Sequence, residues 1–150
     1  KVMTRINLYP EEVKEEIKQR FNCGTEIICL PLHSVCMRCP PLGVVMSMMA
    51  AYLDSAKIKD SKGRLPIHHA CRYGASFGVV LFLLEKYPDG AKVPTEVGCL
   101  PIHTACLFGS SSTIVSTLLE VYPESVEKAD LAGLTPSDYA EDNPRPVKQD

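Results

Sequence analysis

The sequence carries almost no excess charge of either sign. Its 16 Lys and Arg residues stand against 18 Asp and Glu residues, for a formal net charge of −2. Because nucleic-acid backbones attract strongly basic surfaces, we expect no nucleic-acid partner. The chain has 150 residues, of which 45% are hydrophobic and 23% are charged. These values are typical of one globular domain with a packed core.

Long apolar runs are also missing. The longest covers residues 79–84 (Val-Val-Leu-Phe-Leu-Leu), far short of the roughly 20 residues that cross a bilayer as a helix, so we expect no membrane insertion. The N-terminus lacks the charged and then apolar pattern of a secretory signal. The chain begins at Lys1 and not at Met. We therefore expect that an upstream segment, with any targeting information in it, was removed or never included.

Motifs for catalysis and cofactor binding are absent as well. The sequence has no Gly-rich phosphate loop, paired-carboxylate motif or dinucleotide fingerprint, so we expect neither a cofactor nor enzymatic activity. Its seven cysteines cannot all pair in disulfides within the chain, because their number is odd. This favours a reducing compartment in which most thiols are small buried apolar side chains. We therefore expect an intracellular protein of the cytoplasm or nucleus. The cysteines are Cys23, Cys29, Cys36, Cys39, Cys71, Cys99 and Cys106.

The sequence does contain an internal repeat. Leu-Pro-Ile-His occurs at residues 65–68 and 100–103, with related copies at residues 30–33 (Leu-Pro-Leu-His) and 135–138 (Thr-Pro-Ser-Asp), so that the prolines are 35 residues apart. Because several other residue types keep the same step, the repeat is a strong signal. These are His33, His68 and His103; Cys36, Cys71 and Cys106; Tyr52, Tyr87 and Tyr122; and Gly63, Gly98 and Gly133.

Each unit predicts two short helices. Pro66 suits the first turn of a helix, where its missing N–H would have no helical partner, and Gly74 suits a left-handed C-terminal cap. Ser76 can cap a second helix, which Pro88 stops. Both helices have an apolar stripe at helical spacing, formed by Ile67, Ala70 and Cys71 in the first and by Val79, Val80, Leu83, Leu84 and Tyr87 in the second. The next unit repeats the second stripe after Ser111, with Ile114, Val115, Leu118, Leu119 and Tyr122.

The two ends differ from the middle. Pro10 and the two glutamates after it predict the start of a helix with acids at its positive end. We expect this helix to end at residues 22–24 and to serve as a cap or as the second helix of a truncated repeat. Beyond Ala140 the chain turns polar and proline-bearing, and we expect it to fray. The apolar face of the N-terminal helix would comprise Val13, Ile17 and Phe21.

These units resemble the ankyrin repeat. Residues 63–70 (Gly-Arg-Leu-Pro-Ile-His-His-Ala) and 98–105 (Gly-Cys-Leu-Pro-Ile-His-Thr-Ala) are similar to the Gly-x-Thr-Pro-Leu-His-x-Ala that opens each unit of that family, and the resemblance covers roughly residues 28–140. It implies an all-α fold, namely an ankyrin-type solenoid of stacked helix-turn-helix repeats with short hairpin or loop projections. It also implies a protein–protein interaction module or scaffold.

The repeat divides the chain into five segments and departs from the family in two ways. Its units are 35 residues long, against about 33 in the family. Leu65 and Leu100 stand where the family has a threonine that helps to cap the helix and bonds the motif histidine, so the bonding partner of His68 and His103 stays open. The segments are an N-terminal capping helix or truncated repeat (1–25), a degenerate repeat (26–60), two repeats (61–95 and 96–130) and a partial repeat with the tail (131–150).

The resemblance also implies where a partner binds. In the ankyrin family, partners contact the concave face formed by the first helices and the projecting loops. Aromatic and arginine side chains dominate the hot spots of interfaces, so we expect a protein partner to bind this concave face. The alternative role of Tyr73 and Phe108 is packing between repeats. The implied contacts are Met37, Arg38, His69, Arg72, Tyr73, Thr104, Leu107 and Phe108, with Lys62, Arg64 and Glu96 in the loops.

Two chemical alternatives stay open. His33, Cys36 and Cys39 have the spacing of zinc ligands, although the repeat explains His33 and Cys36 as structural positions. Cys71 near a histidine could form a thiol-dependent enzyme site, but the sequence shows no third orienting group. The histidines in question are His68 and His69.

Two further roles concern the context of the chain. It could be a structural subunit or a fragment of a larger repeat array or assembly. It could also be the docking arm of an enzyme domain outside the sequence.

Overall fold

The structure is a computed structural model that describes residues 14–20 and 24–142. This part of the chain is mostly helical, with one two-stranded sheet. The strands are β1 (Ile17–Arg20) and β2 (Glu26–Cys29). The α-helices are α1 (Pro31–Cys36), α2 (Leu42–Ala51), α3 (Pro66–Tyr73), α4 (Phe77–Lys86), α5 (Pro101–Leu107), α6 (Ser112–Val121) and α7 (Pro136–Asp142), and 3₁₀ helices span Leu53–Lys57, Pro88–Lys92 and Pro123–Glu127.

An antiparallel hairpin occupies the N-terminal end of the described chain. β1 pairs with β2 so that Ile17 lies opposite Cys29. In β2, Ile27 and Cys29 are buried while Ile28 is exposed, which is the alternation of a strand with one buried face. β2 also bonds the loop before α3, because the Ser61 N–H donates to the Ile28 carbonyl at 2.8 Å.

The N-terminal helix predicted from the sequence is therefore wrong over residues 17–20. The spacing of Ile17 relative to its neighbours fits a helix face, but β2 offers a ladder of backbone partners to the same residues, and this pairing prevails over local spacing. The all-α expectation is corrected to a mostly helical fold with a hairpin. The rest of that prediction, at Pro10, Val13 and Phe21, lies outside the described residues, as do Cys23 and the chain beyond residue 142.

The first helix of each unit begins where its motif predicts. α1, α3, α5 and α7 each start at the proline of the repeated motif. Gly74 takes the left-handed conformation, with φ at 74°, and ends α3 as predicted. Cys39 occupies the corresponding position after α1 and also has a positive φ of 49°, a conformation that costs a residue with a Cβ more than it costs glycine.

The second helices, α2, α4 and α6, end at the repeated tyrosines. The three tyrosines leave the helical conformation, with φ of −143°, −144° and −141° at Tyr52, Tyr87 and Tyr122, and a 3₁₀ helix comes directly after each of them. The predicted serine cap forms in only one unit. Ser111 accepts a hydrogen bond from the Ile114 N–H at 3.4 Å, whereas Ser76 starts α4 without a side-chain bond.

The helices pack in two rows. α1 contacts α3, α3 contacts α5 and α5 contacts α7, while α2 contacts α4 and α4 contacts α6. The apolar stripes predicted from the sequence lie between the rows, where they form one continuous core that water cannot reach. Its most deeply buried members include Leu32, Cys36, Val45, Leu65, Ala70, Val79, Val80, Ala105 and Leu118.

None of the helices in the described part of the chain combines the length and the apolar character needed to cross a membrane.

Candidate protein-interaction face

Three buried histidines connect the first helices α1, α3 and α5 to the backbone that follows later in the chain. The Nδ1 atoms of His33, His68 and His103 accept hydrogen bonds from the N–H groups of Leu30, Leu65 and Leu100 at 3.2, 3.0 and 3.1 Å. Because Nδ1 accepts, the proton lies on Nε2, which donates to a backbone carbonyl. These carbonyls belong to Ile58, Cys99 and Lys128, at 2.9, 3.2 and 2.9 Å.

These bonds identify the partners that the sequence left open for the motif histidines. The backbone N–H of the leucine that precedes the proline bonds Nδ1, so no threonine hydroxyl is needed. Burial lowers the pKa of His33 and of His68 to about 4, and burial also lowers the pKa of His103. All three imidazoles are therefore neutral at physiological pH, and their role is to hold the scaffold together.

His69 does not face outward as the resemblance implied. Its side chain and that of Asp60 are both fully buried, and its Nε2 lies 2.8 Å from Asp60 Oδ2. Its Nδ1 is buried without a hydrogen-bond partner among the described residues. The inward position of His69 corrects its predicted place among the partner contacts, because a buried ring cannot touch another protein.

Asp60 ties the loop before α3 to that helix. Its Oδ1 accepts the N–H groups of Lys62 and Arg64 at 2.8 and 2.9 Å, while Oδ2 bonds His69. Burial raises the pKa of this carboxyl, but the hydrogen bonds from His69, Arg64 and Lys62 together lower it below the ordinary value. The ionised carboxylate thus fixes the loop through three hydrogen bonds.

A matching aspartate and partner recur two units later, and sequence reasoning missed both pairs. Asp130 Oδ1 accepts the N–H groups of Ala132 and Leu134 at 2.8 and 3.0 Å, and the Tyr139 hydroxyl donates to Oδ2 at 2.5 Å. In each pair the partner comes nine residues after the aspartate. That spacing was a usable signal, but the middle unit hides it, since Thr95 occupies the aspartate position there.

The zinc ligands considered from the sequence do not assemble. Both nitrogens of His33 bond backbone groups, so neither has a free lone pair for a metal. Cys36 is buried, and Cys39 is exposed with its Sγ donating to the Tyr73 carbonyl at 2.8 Å. Across residues 14–20 and 24–142, no group of three His, Cys, Asp or Glu residues is arranged to hold a metal ion.

The thiol considered as a nucleophile, that of Cys71, is buried. Burial is the main cause that raises the pKa of Cys71 to about 12, so the thiolate needed for attack is scarce at neutral pH. His68 spends both ring nitrogens on backbone bonds and cannot accept the thiol proton. The geometry around Cys71 therefore supports packing and not nucleophilic chemistry.

The other implied contacts lie on the outer side of the first-helix row. Arg72 is exposed, and its guanidinium carbon lies 4.7 Å from the ring centre of Phe108 and 5.6 Å from that of Tyr73. Phe108 and Tyr73 are half-buried. The arginine thus bridges the ends of α3 and α5, and the two rings both pack between units and reach the surface.

Arg38 is exposed, Leu107 is 36% exposed, and Met37 and Thr104 are half-buried. The Cys39–Tyr73 hydrogen bond places the end of α1 beside the end of α3, so these side chains border the same stretch of surface. We call this surface the first-helix face. It comprises Met37, Arg38, Arg72, Tyr73, Thr104, Leu107 and Phe108.

The loop residues implied as contacts come from neighbouring units that bond each other. The Lys62 carbonyl accepts the Glu96 N–H at 3.2 Å. Lys62 and Glu96 are exposed and Arg64 is half-buried. Gly63 allows this approach, because a Cβ built on it would lie 2.9 Å from the Glu96 nitrogen. Successive loops are therefore in register beside the first-helix face.

Residues 62–92 match the family model described as ankyrin repeat. They run from the loop before α3 to the end of the 3₁₀ helix that follows α4. The comparison with curated proteins found no match. Repeats of this kind generally mediate protein–protein interaction and are generally not enzymes. The resemblance that the motifs predict is thus confirmed, and the chain contains a repeat of the ankyrin repeat family.

Proposed function

We propose that the chain is a binding module, without catalytic activity, that holds another protein on its first-helix face and neighbouring loops. The ankyrin repeat at residues 62–92 supports a protein partner. The two rows of helices support the finer proposal that the units stack as a solenoid, because each row places equivalent faces side by side. The four buried histidines bond only groups of the scaffold, which favours binding over thiol or metal chemistry.

The observation that carries the proposal is the position of Arg72. Its guanidinium is stacked near two aromatic rings and remains exposed. Exposed arginine and aromatic side chains in one patch are the residue types that contribute most to binding energy at interfaces. Stacking also limits the conformations of the side chain, which lowers the entropy lost when a partner binds.

The test replaces Tyr73 and Phe108 with alanine, together and singly. We expect reduced capture of the native partner from cells, with the folded fraction measured by circular dichroism in the same samples. Phe82→Ala is the matched control, since Phe82 is a half-buried aromatic on α4, in the other row. If the alanine variants lose stability but their folded fraction captures the partner as well as the native chain does, the first-helix face is not the binding surface.

A structural role in a larger assembly is the second candidate. Val97 and Leu131 are 62% and 79% exposed, and they lie on adjacent loops, where the Leu131 N–H donates to the Val97 carbonyl at 3.1 Å. Neighbouring exposed apolar side chains are a feature of contact surfaces. Native mass spectrometry of Val97→Ser with Leu131→Ser tests this role, which predicts that the double variant loses an oligomer or complex that the native chain forms.

We also propose that the chain works inside the cell. Every cysteine of the described residues is free of disulfides in the structure, and several are fully buried. Free buried thiols are common in reducing compartments. Microscopy of the tagged full-length protein tests this proposal, which would fail if the protein were secreted.

A further inference from the structure

Among the described residues, five basic side chains on and beside the first-helix face have no acidic partner. The ion pairs that lysine and arginine form in this part of the chain include those of Arg20, Lys57 and Lys92. None involves the basic residues of the loop before α3 or of the ends of α1 and α3. We call this set the basic patch, and it comprises Arg38, Lys59, Lys62, Arg64 and Arg72.

The basic patch is a local feature and not a consequence of overall charge. The chain as a whole has a net charge of −2, so a concentration of unpaired cations in one region is balanced by acids elsewhere. Glu96 is an exposed acid beside the patch, because its backbone N–H donates to the Lys62 carbonyl. A surface on which one sign of charge predominates attracts a ligand of the opposite sign.

Asp60 lies beneath the loop before α3, and its negative charge lowers the positive potential of the patch without forming an ion pair with any of the five cations. Its side chain is fully buried, and its two oxygens bond Lys62 N–H, Arg64 N–H and His69. A partner therefore meets the cations and not this carboxylate. The same three bonds fix the loop relative to α3, so the basic groups are held in place before any partner arrives.

Arg72 is suited to bind a carboxylate. An arginine stacked on aromatic rings keeps the N–H donors at the edge of its planar group free for hydrogen bonds. The guanidinium lies beside Phe108 and Tyr73, with Leu107 at the end of the neighbouring helix. The surroundings of Arg72 thus combine donors for an acid with an apolar surface for a second side chain.

We infer that the partner segment is an acidic stretch of protein that also carries an apolar or aromatic side chain, and this inference rests on the proposed function. One acid bonds Arg72 or Arg38 and another lies against the loop basic residues, while the apolar side chain packs on Tyr73 and Phe108. α3 has eight residues, which is about 12 Å of helix between the two ends of the patch. An extended segment covers that distance in about four residues, so the acids are about four residues apart.

The test selects binders from a library of short random peptides displayed on phage, with the purified chain as bait. We expect the enriched peptides to be acidic and to contain an aromatic or large apolar residue, with two acids about four residues apart. Synthetic copies of the enriched peptides then serve as probes in fluorescence anisotropy. Their affinity should fall as salt rises, because screening weakens exposed charge pairs.

Two double variants with the same change in net charge separate the patch from general electrostatics. Arg38→Gln with Arg72→Gln should weaken binding of the acidic peptides about tenfold, in line with the loss of charge-assisted hydrogen bonds. Lys86→Gln with Lys92→Gln should leave the affinity for the acidic peptides within about twofold. These exposed lysines belong to α4 and the 3₁₀ helix after it, and exposed charges outside the binding site contribute little to the free energy of binding. Equal weakening in both double variants would overturn the inference.

The remaining outcomes distinguish this inference from the proposed function. Enrichment of neutral apolar peptides that bind through Tyr73 and Phe108 would uphold the protein-binding face and overturn the acidic partner. Failure of every library peptide to bind, in a chain that still captures its native partner through this face, would also overturn it. Tighter binding of a single-stranded DNA probe than of the acidic peptides would assign the patch to nucleic acid and contradict both proposals.

Discussion

Acidification should destabilise this protein through the buried histidines of its repeated motif. His33 and His68 have pKa values of about 4 in the folded chain, against about 6.5 in an unfolded chain. Burial is the largest cause for both, and a nearby His69 lowers both further. The Leu30 and Leu65 N–H groups reinforce this, since each must donate to an unprotonated Nδ1.

The size of the effect follows from the two pKa values. Because the folded pKa lies below the unfolded one, the unfolded chain binds more protons between pH 6.5 and pH 4. Stability is therefore fully present above about pH 6.5 and is lost as the pH falls towards 4. The full difference is about 3 kcal/mol per histidine, of which about 2 kcal/mol is lost between pH 7 and pH 5. His33 and His68 together should cost about 4 kcal/mol over that interval, and His103, whose pKa is also lowered, adds in the same direction.

Urea unfolding followed by circular dichroism, at constant ionic strength from pH 7.5 to pH 5, measures this loss. The control is His68→Gln, because a glutamine amide can accept from the Leu65 N–H and donate to the Cys99 carbonyl but does not titrate. This variant should lose about half as much stability on acidification. Carboxyl groups with a lowered pKa, such as Asp60, titrate below this range. Equal stability at pH 7 and pH 5, or an unchanged pH dependence in His68→Gln, would refute the reasoning.

Two further predictions concern the loops and the thiols. Gly98→Ala should destabilise the chain more than Gly133→Ala does. Both glycines have a positive φ, and for Gly133→Ala we expect a cost of about 1–2 kcal/mol from this backbone conformation alone. A Cβ added at Gly98 would in addition lie 2.8 Å from the Leu131 nitrogen, whereas one added at Gly133 meets nothing within 4 Å. Thermal unfolding of the two variants compares them, and equal losses would contradict the close approach of the loops. Under native conditions, iodoacetamide should modify exposed Cys39 first and leave buried Cys36 and Cys71 intact until the chain unfolds. Peptide mapping by mass spectrometry gives the order of labelling, and early labelling of Cys71 would contradict the packing.

Much of the helical framework was predictable from the sequence because the signals repeat. A proline at residue 66, a glycine at residue 74 and apolar residues at helical spacing each favour the same local structure, and they recur at a fixed step. Local preference and packing agree at these positions, so the predicted starts of α3 and α5 are found in the structure. The packing of equivalent helices in rows follows from the same recurrence.

The features that escaped prediction depend on contacts distant in sequence. Ile17 satisfies a helical spacing, but its strand is determined by pairing with β2. His69 occupies a position that varies between units, so the family pattern implied that it faces outward. Its burial depends on Asp60, a loop residue whose carboxylate turns towards α3. A polar side chain can be predicted as buried only when its partner is recognised too.

The most direct measurement is site-specific photo-crosslinking to the native partner in cells. A photoreactive phenylalanine analogue is placed at Leu107, on the first-helix face, or at Glu85, an exposed residue of α4 in the other row. Binding through the first-helix face predicts a crosslinked partner from position 107 and none from position 85, with equal amounts of folded chain. A partner that crosslinks from position 85 and not from position 107 would contradict the proposed binding surface.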